Sequence, residues 1–136
     1  MEKYHAPSAR DPKIVLGKDG LYHMFMTTSL VSENKGCLAH LTSKDLSIWN
    51  ECDEPIYVHE DDNQPECPDY IEYNGYYYLI YSIGGSAHYM LSKEPFGPWI
   101  TPDNPIIPYS SVPKGRYGMI RLFLRDLMET ENMREQ

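Results

Sequence analysis

The sequence predicts an all-β chain built from two copies of one strand-turn-strand unit, and three observations carry this. Tyr70-Ile71-Glu72-Tyr73 and Tyr76-Tyr77-Tyr78-Leu79-Ile80-Tyr81 flank Asn74-Gly75. Asn-Gly is the strongest short hairpin signal, because both central residues of a type I′ turn take positive φ. Tyrosine and isoleucine suit a pleated, half-buried surface. The unit also occurs twice: Asp19-Gly20 lies 55 residues before Asn74-Gly75, and Tyr22 to Met26 lies 55 before Tyr77 to Tyr81. Finally, Ser43-Lys44-Asp45-Leu46-Ser47-Ile48-Trp49 echoes Ser92-Lys93-Glu94-Pro95-Phe96-Gly97-Pro98-Trp99 at an offset of 49 or 50, so the intervening loops differ in length. A repeat of this period with several strands per unit reads as blades of a β-propeller.

In chain order, residues 1–9 are polar and lack periodicity, which makes them an arm or a blade connector. The first unit has strands near 13–16, 21–28 and 36–42, followed by a turn whose Leu46 and Trp49 tuck back onto the blade. The stretch 50–65 is acidic, contains prolines and crosses to the next blade as a loop. The second unit has strands near 69–73, 76–83 and 87–92. Ile83-Gly84-Gly85-Ser86 is a loose turn between the last two, and no helix follows that would make it a phosphate loop. Trp49 and Trp99 are expected to pack between blades. Six Pro or Gly residues from Pro95 to Pro108 make 93–113 irregular. In the tail, Met119, Ile120, Phe123, Leu124, Leu127 and Met128 recur at helical spacing, with Arg121, Arg125, Asp126 and Glu129 opposite. Alternation of Ile120, Leu122 and Leu124 leaves a strand over 117–124 open. The apolar stripe covers surface of its own domain or makes a dimer contact. The expected organisation is a module over 1–113, with blades at about 10–50 and 66–108, and a short C-terminal helix within 114–136.

Twelve basic against 20 acidic side chains give a net charge of −8, and the pI is near 5.0. That balance argues against nucleic acid or an anionic membrane as partner and is compatible with a neutral sugar. The 12 tyrosines and 2 tryptophans chiefly serve strand packing, with a few free to offer stacking faces to sugar rings. Cys37, Cys52 and Cys67 are an odd set without a Cys-x-x-Cys pair, which suggests reduced thiols in a reducing compartment. His5, His23, His40, His59 and His88 show no ligand spacing, so neither metal nor cofactor is expected. His59-Glu60-Asp61-Asp62 reads as a solvated acidic loop. No apolar run has signal-peptide or membrane-spanning length, and the expectation is a soluble cytoplasmic chain.

Two acids stand out. Glu66 lies in Gln64-Pro65-Glu66-Cys67-Pro68-Asp69-Tyr70, stiffened by prolines at the start of a strand. Asp11 lies in Arg10-Asp11-Pro12, 55 residues earlier. A lone carboxylate at a strand end is ordinarily solvated. Recurrence alters that, because equivalent positions in neighbouring blades face one axis. Asp11 and Glu66 are therefore expected at one mouth of the channel, their carboxyl groups within about 10 Å, the upper range for paired glycosidase carboxylates.

Arg10-Asp11-Pro12 and Glu66-Cys67-Pro68-Asp69, in this order and between such strands, resemble glycoside hydrolase family 32, over roughly residues 7–109. That family includes invertases, levanases and inulinases, and related families 43, 62 and 68 share its propeller. The resemblance implies a five-bladed β-propeller, of which this chain has room for about two blades. It implies that Asp11 stabilises the transition state and grips sugar hydroxyls, and that Glu66 is the general acid and base. Arg10 and Asp69 become substrate-binding support. A retaining mechanism through a fructosyl-enzyme ester is implied too. The family's nucleophile is an Asp in an Asn-Asp-Pro-Asn segment upstream of Arg-Asp-Pro, and this sequence contains no such segment; Pro102-Asp103-Asn104-Pro105 has the wrong order and place. The expectation is thus a fructoside-acting glycosidase module, truncated and lacking its nucleophile. The competing readings are a non-catalytic carbohydrate-binding half-propeller and an interaction module without sugar. Self-association or a completing propeller fragment is expected as partner beside the carbohydrate.

Overall fold

A computed structural model of the chain describes residues 2–107, and among these eight strands form two antiparallel sheets. The first sheet contains β1 (Arg10–Leu16), β2 (Tyr22–Leu30) and β3 (Lys35–Ser43) in meander order. Two short strands, β4 (Asn50–Glu51) and β5 (Tyr57–Val58), both pair with β3. The second sheet is the meander β6 (Glu66–Tyr73), β7 (Tyr76–Ile83) and β8 (Ser86–Ser92). Isolated bridges Leu91–Ile100 and His88–Ile106 extend it along the outer edge of β8. The architecture is all-β, two adjacent blades of a β-propeller with β1 and β6 as neighbouring innermost strands. Residues up to Ile106 form one compact unit. The expected helical stripe Met119 to Met128 and the expected boundary at 113 lie outside the described residues.

The two hairpins are built on different turns. Asn74 and Gly75 both take positive φ (50° and 80°), the conformation of a two-residue type I′ turn. In the first blade the Gly17 N–H bonds to Leu21 O at 2.8 Å around a three-residue loop, with Gly20 at φ 79°. The first hairpin is therefore one residue longer. The 50–65 segment, expected as loop, donates β4 and β5 to β3, which covers an edge that would otherwise be open. Ile83-Gly84-Gly85-Ser86 closes a tight hairpin in place of a loose turn, both glycines having positive φ. In the turn after β3, Leu46 does not tuck back: it stands 49% exposed at φ 67°, while Asp45 accepts the Ser47 and Ile48 N–H groups.

Strand alternation gives β2 and β3 two largely buried faces. Phe25 and Leu38 on one face meet Leu79, Tyr81 and Met90 of the second sheet, with Ile56 and the half-buried Val15, Tyr70, Phe96 and Trp99 around them. This is the core between the blades, and Trp99 sits edge-on to Tyr70. On the opposite face Leu30, Cys37, Ala39 and Leu41 pack with Tyr4 from the N-terminal arm, and Trp49 lies against them. The N-terminal arm is pinned by Tyr4 through its bridge to Leu30.

Gly36 is fixed by a close approach. A Cβ there would lie 1.8 Å from the Asn63 carbonyl oxygen, and the Gly36 N–H bonds to Asp61 O at 2.9 Å. The lead-in to β6 thus crosses directly over the start of β3.

Candidate functional site

Each sequence motif forms the first turn of an innermost strand, and each contains the same irregularity. Arg10 pairs with Thr27 and Lys13 with Phe25, so three steps along β1 match two along β2. Glu66 pairs with Ser82 and Asp69 with Ile80 in the same way. The extra residue makes a β-bulge, and bulges re-aim side chains. Asp11 (φ 54°) and Cys67 (φ 49°) occupy the bulges in the left-handed region. That conformation stores on the order of 1–3 kcal/mol of strain per residue and must be held by surrounding contacts.

The bulges correct the expected equivalence. Glu66 is the counterpart of Arg10, and Cys67 is the counterpart of Asp11; the offset on the innermost strands is 56, not 55. The longer first hairpin supplies the additional residue. Pro12 and Pro68, which stand 56 apart, already carry this register in the sequence.

The motifs nevertheless meet. Arg10 Nη2 donates to Glu66 Oε1 at 2.7 Å, and Arg10 Nε lies 4.0 Å from Asp11 Oδ2. Asp11 Oδ2 accepts the Cys67 backbone N–H at 3.2 Å, and the Cys67 thiol lies 3.6 Å from the same oxygen. Of the two carboxylates, Glu66 is the nearer to the Arg10 guanidinium. Nη1 of Arg10 donates to Ser8 O at 3.0 Å and to Gln64 Oε1 at 2.6 Å. Glu66 is half exposed and stands among polar groups. Buried Thr27 donates its hydroxyl to Pro65 O at 2.8 Å, tying the approach of β6 to β2. Asp69 lies on β6, where its Oδ1 accepts from Lys13 Nζ and the Tyr70 N–H, both at 2.8 Å. It links the two innermost strands and does not close a loop. An open depression beside Glu66 is lined by Asp62, Asn63, Gln64, Gly84 and Gly85.

Sequence reasoning missed Gln64, Ser8, Thr27 and Lys13, since their roles depend on which loops the blades bring together. It also missed a chain of polar groups at the far end of the first blade. The Asp19 carboxylate accepts from His23 Nε2 at 2.9 Å, and His23 Nδ1 lies 2.8 Å from His40 Nε2. His23 is buried and stacks on Phe96 at 3.9 Å between ring centroids. His23 Nδ1 and His40 Nε2 share one hydrogen bond, whose direction follows the tautomers of the two rings. Burial, with the His23 charge, pushes the His40 pKa down to about 4. Burial pushes the Asp19 carboxyl up, but bonds from the Leu21 N–H and His23 outweigh it and leave it below its ordinary value. Tyr70, whose hydroxyl donates to Pro95 O, is pushed up by burial and by neighbouring Tyr77 and Glu72.

For a metal, His59, Glu60 and Asp61 bring three donor atoms within 4.8 Å, the one such group among the described residues. Of these, His59 Nδ1 lies 2.8 Å from the Tyr57 hydroxyl, and Asp61 Oδ1 accepts twice from Asn63. The Cys37 thiol is buried, and that burial raises it to about 12. Among the described residues no helix is long and apolar enough to cross a membrane.

Two blades side by side, with a guanidinium and carboxylates gathered where their innermost strands begin, define a β-propeller module of the glycosidase type. Within that class the chain belongs to glycosyl hydrolase family 32: the model of the family's N-terminal domain matches residues 1–96. Fructan 1-exohydrolase IIa from Cichorium intybus is similar in structure, with a TM-score of 0.61 at 19% identity over 81% of this chain and 24% of that one. A variant of that enzyme in complex with 1-kestose gives 0.57 at 21% identity, over 67% and 20% of the two chains. A further structure described as a glycoside hydrolase gives 0.51 at 18%, over 76% and 24%. These likenesses carry the fold, and the chain spans a fifth to a quarter of the length of those structures. No curated protein matches.

Proposed function

We propose that this chain supplies the acid/base part of a glycoside hydrolase site acting on fructosides of the sucrose, levan or inulin type. Glu66 is the general acid and base, Asp11 steadies the charge that develops on the sugar and grips its hydroxyls, and Arg10 and Asp69 orient the substrate and the carboxylates. The observation that supports this best is the 2.7 Å contact between Arg10 and Glu66, which joins two motifs 56 residues apart. The 1-kestose bound to the structural neighbour supports a fructoside as the sugar.

Glycosidic cleavage needs a proton delivered to the leaving oxygen and a carboxylate opposed to it. At the start of β6 Glu66 borders the open depression, where a leaving group has room. In the second step the same carboxylate takes a proton from water. Asp11, turned toward the same guanidinium by its bulge, is placed to hold hydroxyls by charge-assisted bonds. The family's nucleophile segment is not among these 136 residues. That gap favours the alternative reading, a non-catalytic carbohydrate-binding half-propeller.

Fructose release and sugar binding separate these readings. Pure chain given sucrose, inulin or levan should release negligible fructose, because losing one acting carboxylate commonly costs several orders of magnitude. Robust release abolished by Glu66→Gln would show that another acid in this chain serves as nucleophile. Saturable binding of 1-kestose, weakened about tenfold or more by Asp11→Ala, is expected under either reading. Absence of any fructoside binding would remove both.

A further inference from the structure

We infer that Gln64 is a positioning residue, whose carboxamide sets the Arg10 guanidinium and through it the Glu66 carboxylate. Arginine has donors only, so the atom facing Arg10 Nη1 at 2.6 Å must be the amide oxygen. This forces the amide nitrogen toward Ser29 Oγ, to which it donates at 2.7 Å. Ser29 lies on β2, in the interior of the first sheet. The result is a continuous line from Ser29 through Gln64 and Arg10 to Glu66.

The line uses the guanidinium fully on one side. Nη1 has two hydrogens, and Ser8 O and Gln64 Oε1 take both. Rotation about the Nε–Cζ bond is then blocked, and Nη2 has one direction left, toward Glu66 Oε1. A half-exposed arginine without such a partner samples many rotamers. Gln64 is itself placed by backbone: Gly36 lies under Asn63, and Thr27 holds Pro65. Its importance to chemistry rests on the proposed roles of Arg10 and Glu66, but the arrangement does not, and the test reads the guanidinium directly.

The experiment is nitrogen-15 NMR of arginine side chains in the purified full chain, in whatever state of association it adopts. The probe is the rotation rate about Nε–Cζ of Arg10, assigned by its loss in Arg10→Lys. Slow rotation with separate Nη signals is expected in the native protein. In Gln64→Met, which keeps length without an acceptor, rotation should quicken about tenfold or more. Gln64→Glu keeps the acceptor and loses the donor to Ser29, and should retain the slow rotation. If Gln64 merely braces its loop, the Met and Glu variants will behave alike, which overturns the inference. Should Gln64→Met fail to fold, Gln64→Asn, one methylene too short, replaces it. Native rates in Gln64→Asn overturn the inference; faster rotation supports it. Because no sugar is involved, failure of the glycosidase reading leaves these outcomes unchanged.

Discussion

Two imidazole nitrogens 2.8 Å apart can share one proton between them, and a second forces the rings apart. His40 faces His23 and, beyond it, Asp19, with Phe25 and Phe96 on its flanks. Its folded pKa near 4 lies below the ordinary value of 6.5, so the folded chain binds fewer protons than the unfolded chain. Stability from this residue is present above pH 6.5 and is lost as pH falls from 6.5 toward 4. The loss should be on the order of 2–3 kcal/mol, allowing for partial exposure. Melting temperatures at pH 7 and pH 5 should differ clearly in the native protein and much less in His40→Gln; an equal fall in both would contradict the assignment. Nothing in the sequence announced this chain of groups, because His23 and His40 become neighbours only through the β2–β3 register. The motif residues were more legible: Arg10, Asp11, Glu66 and Asp69 do gather along the innermost strands. The error of one position arose from aligning turns, Asp19-Gly20 on Asn74-Gly75, where the prolines of the bulges were the better marks.

Among the elements, the lead-in to β6 carries most of the site's geometry. Gly36→Ala would drive a methyl group into the Asn63 carbonyl, and backbone cannot yield there as a flexible side chain could. A destabilisation of about 1–3 kcal/mol is expected, read by denaturant unfolding. The shift should also loosen Arg10, since Gln64 is next in the chain. Thr27→Val is the milder test of the same junction. It leaves the buried Pro65 carbonyl without its 2.8 Å donor, at a cost of about 1–3 kcal/mol. No measurable change in unfolding for either variant would mean that the lead-in is held by other contacts. Strand positions were legible because alternation and turn residues act locally. The short β4 and β5 were not, since two-residue strands have no period and exist because β3 offers them an edge.

At the scale of the molecule, the face of β1 that points away from the second sheet is apolar and open. Ile14 and Leu16 are 44% and 65% exposed, and Ile48 in the turn after β3 is 68% exposed. Propeller blades bury such faces on a neighbour, and about three repeats are usually needed for stability. We expect the pure chain to self-associate, or to dissolve poorly without a completing fragment, and sedimentation at micromolar concentration reads this. Replacing Leu16 and Ile48 together by Lys should reduce association. A monodisperse native monomer would show that the described unit is self-sufficient.

The innermost strands carry one more consequence. Arg10, Lys13 and Lys18 face Glu66, Asp69 and Glu72, every cation on the first blade and every anion on the second. Exposed ion pairs are individually weak and contribute little to cohesion. Their spacing is uneven, 56, 56 and 54 residues between partners, because Lys18 lies beyond the end of β1. Like the marks of a vernier, the charges coincide at one setting only. Sliding β6 by a single residue would move each acid by about 3.3 Å and turn it to the other face. All three coincidences would be lost at once, and Glu66 would leave Arg10. The ladder thus works as a gauge: it adds little to holding the blades together and fixes where along each other they stop.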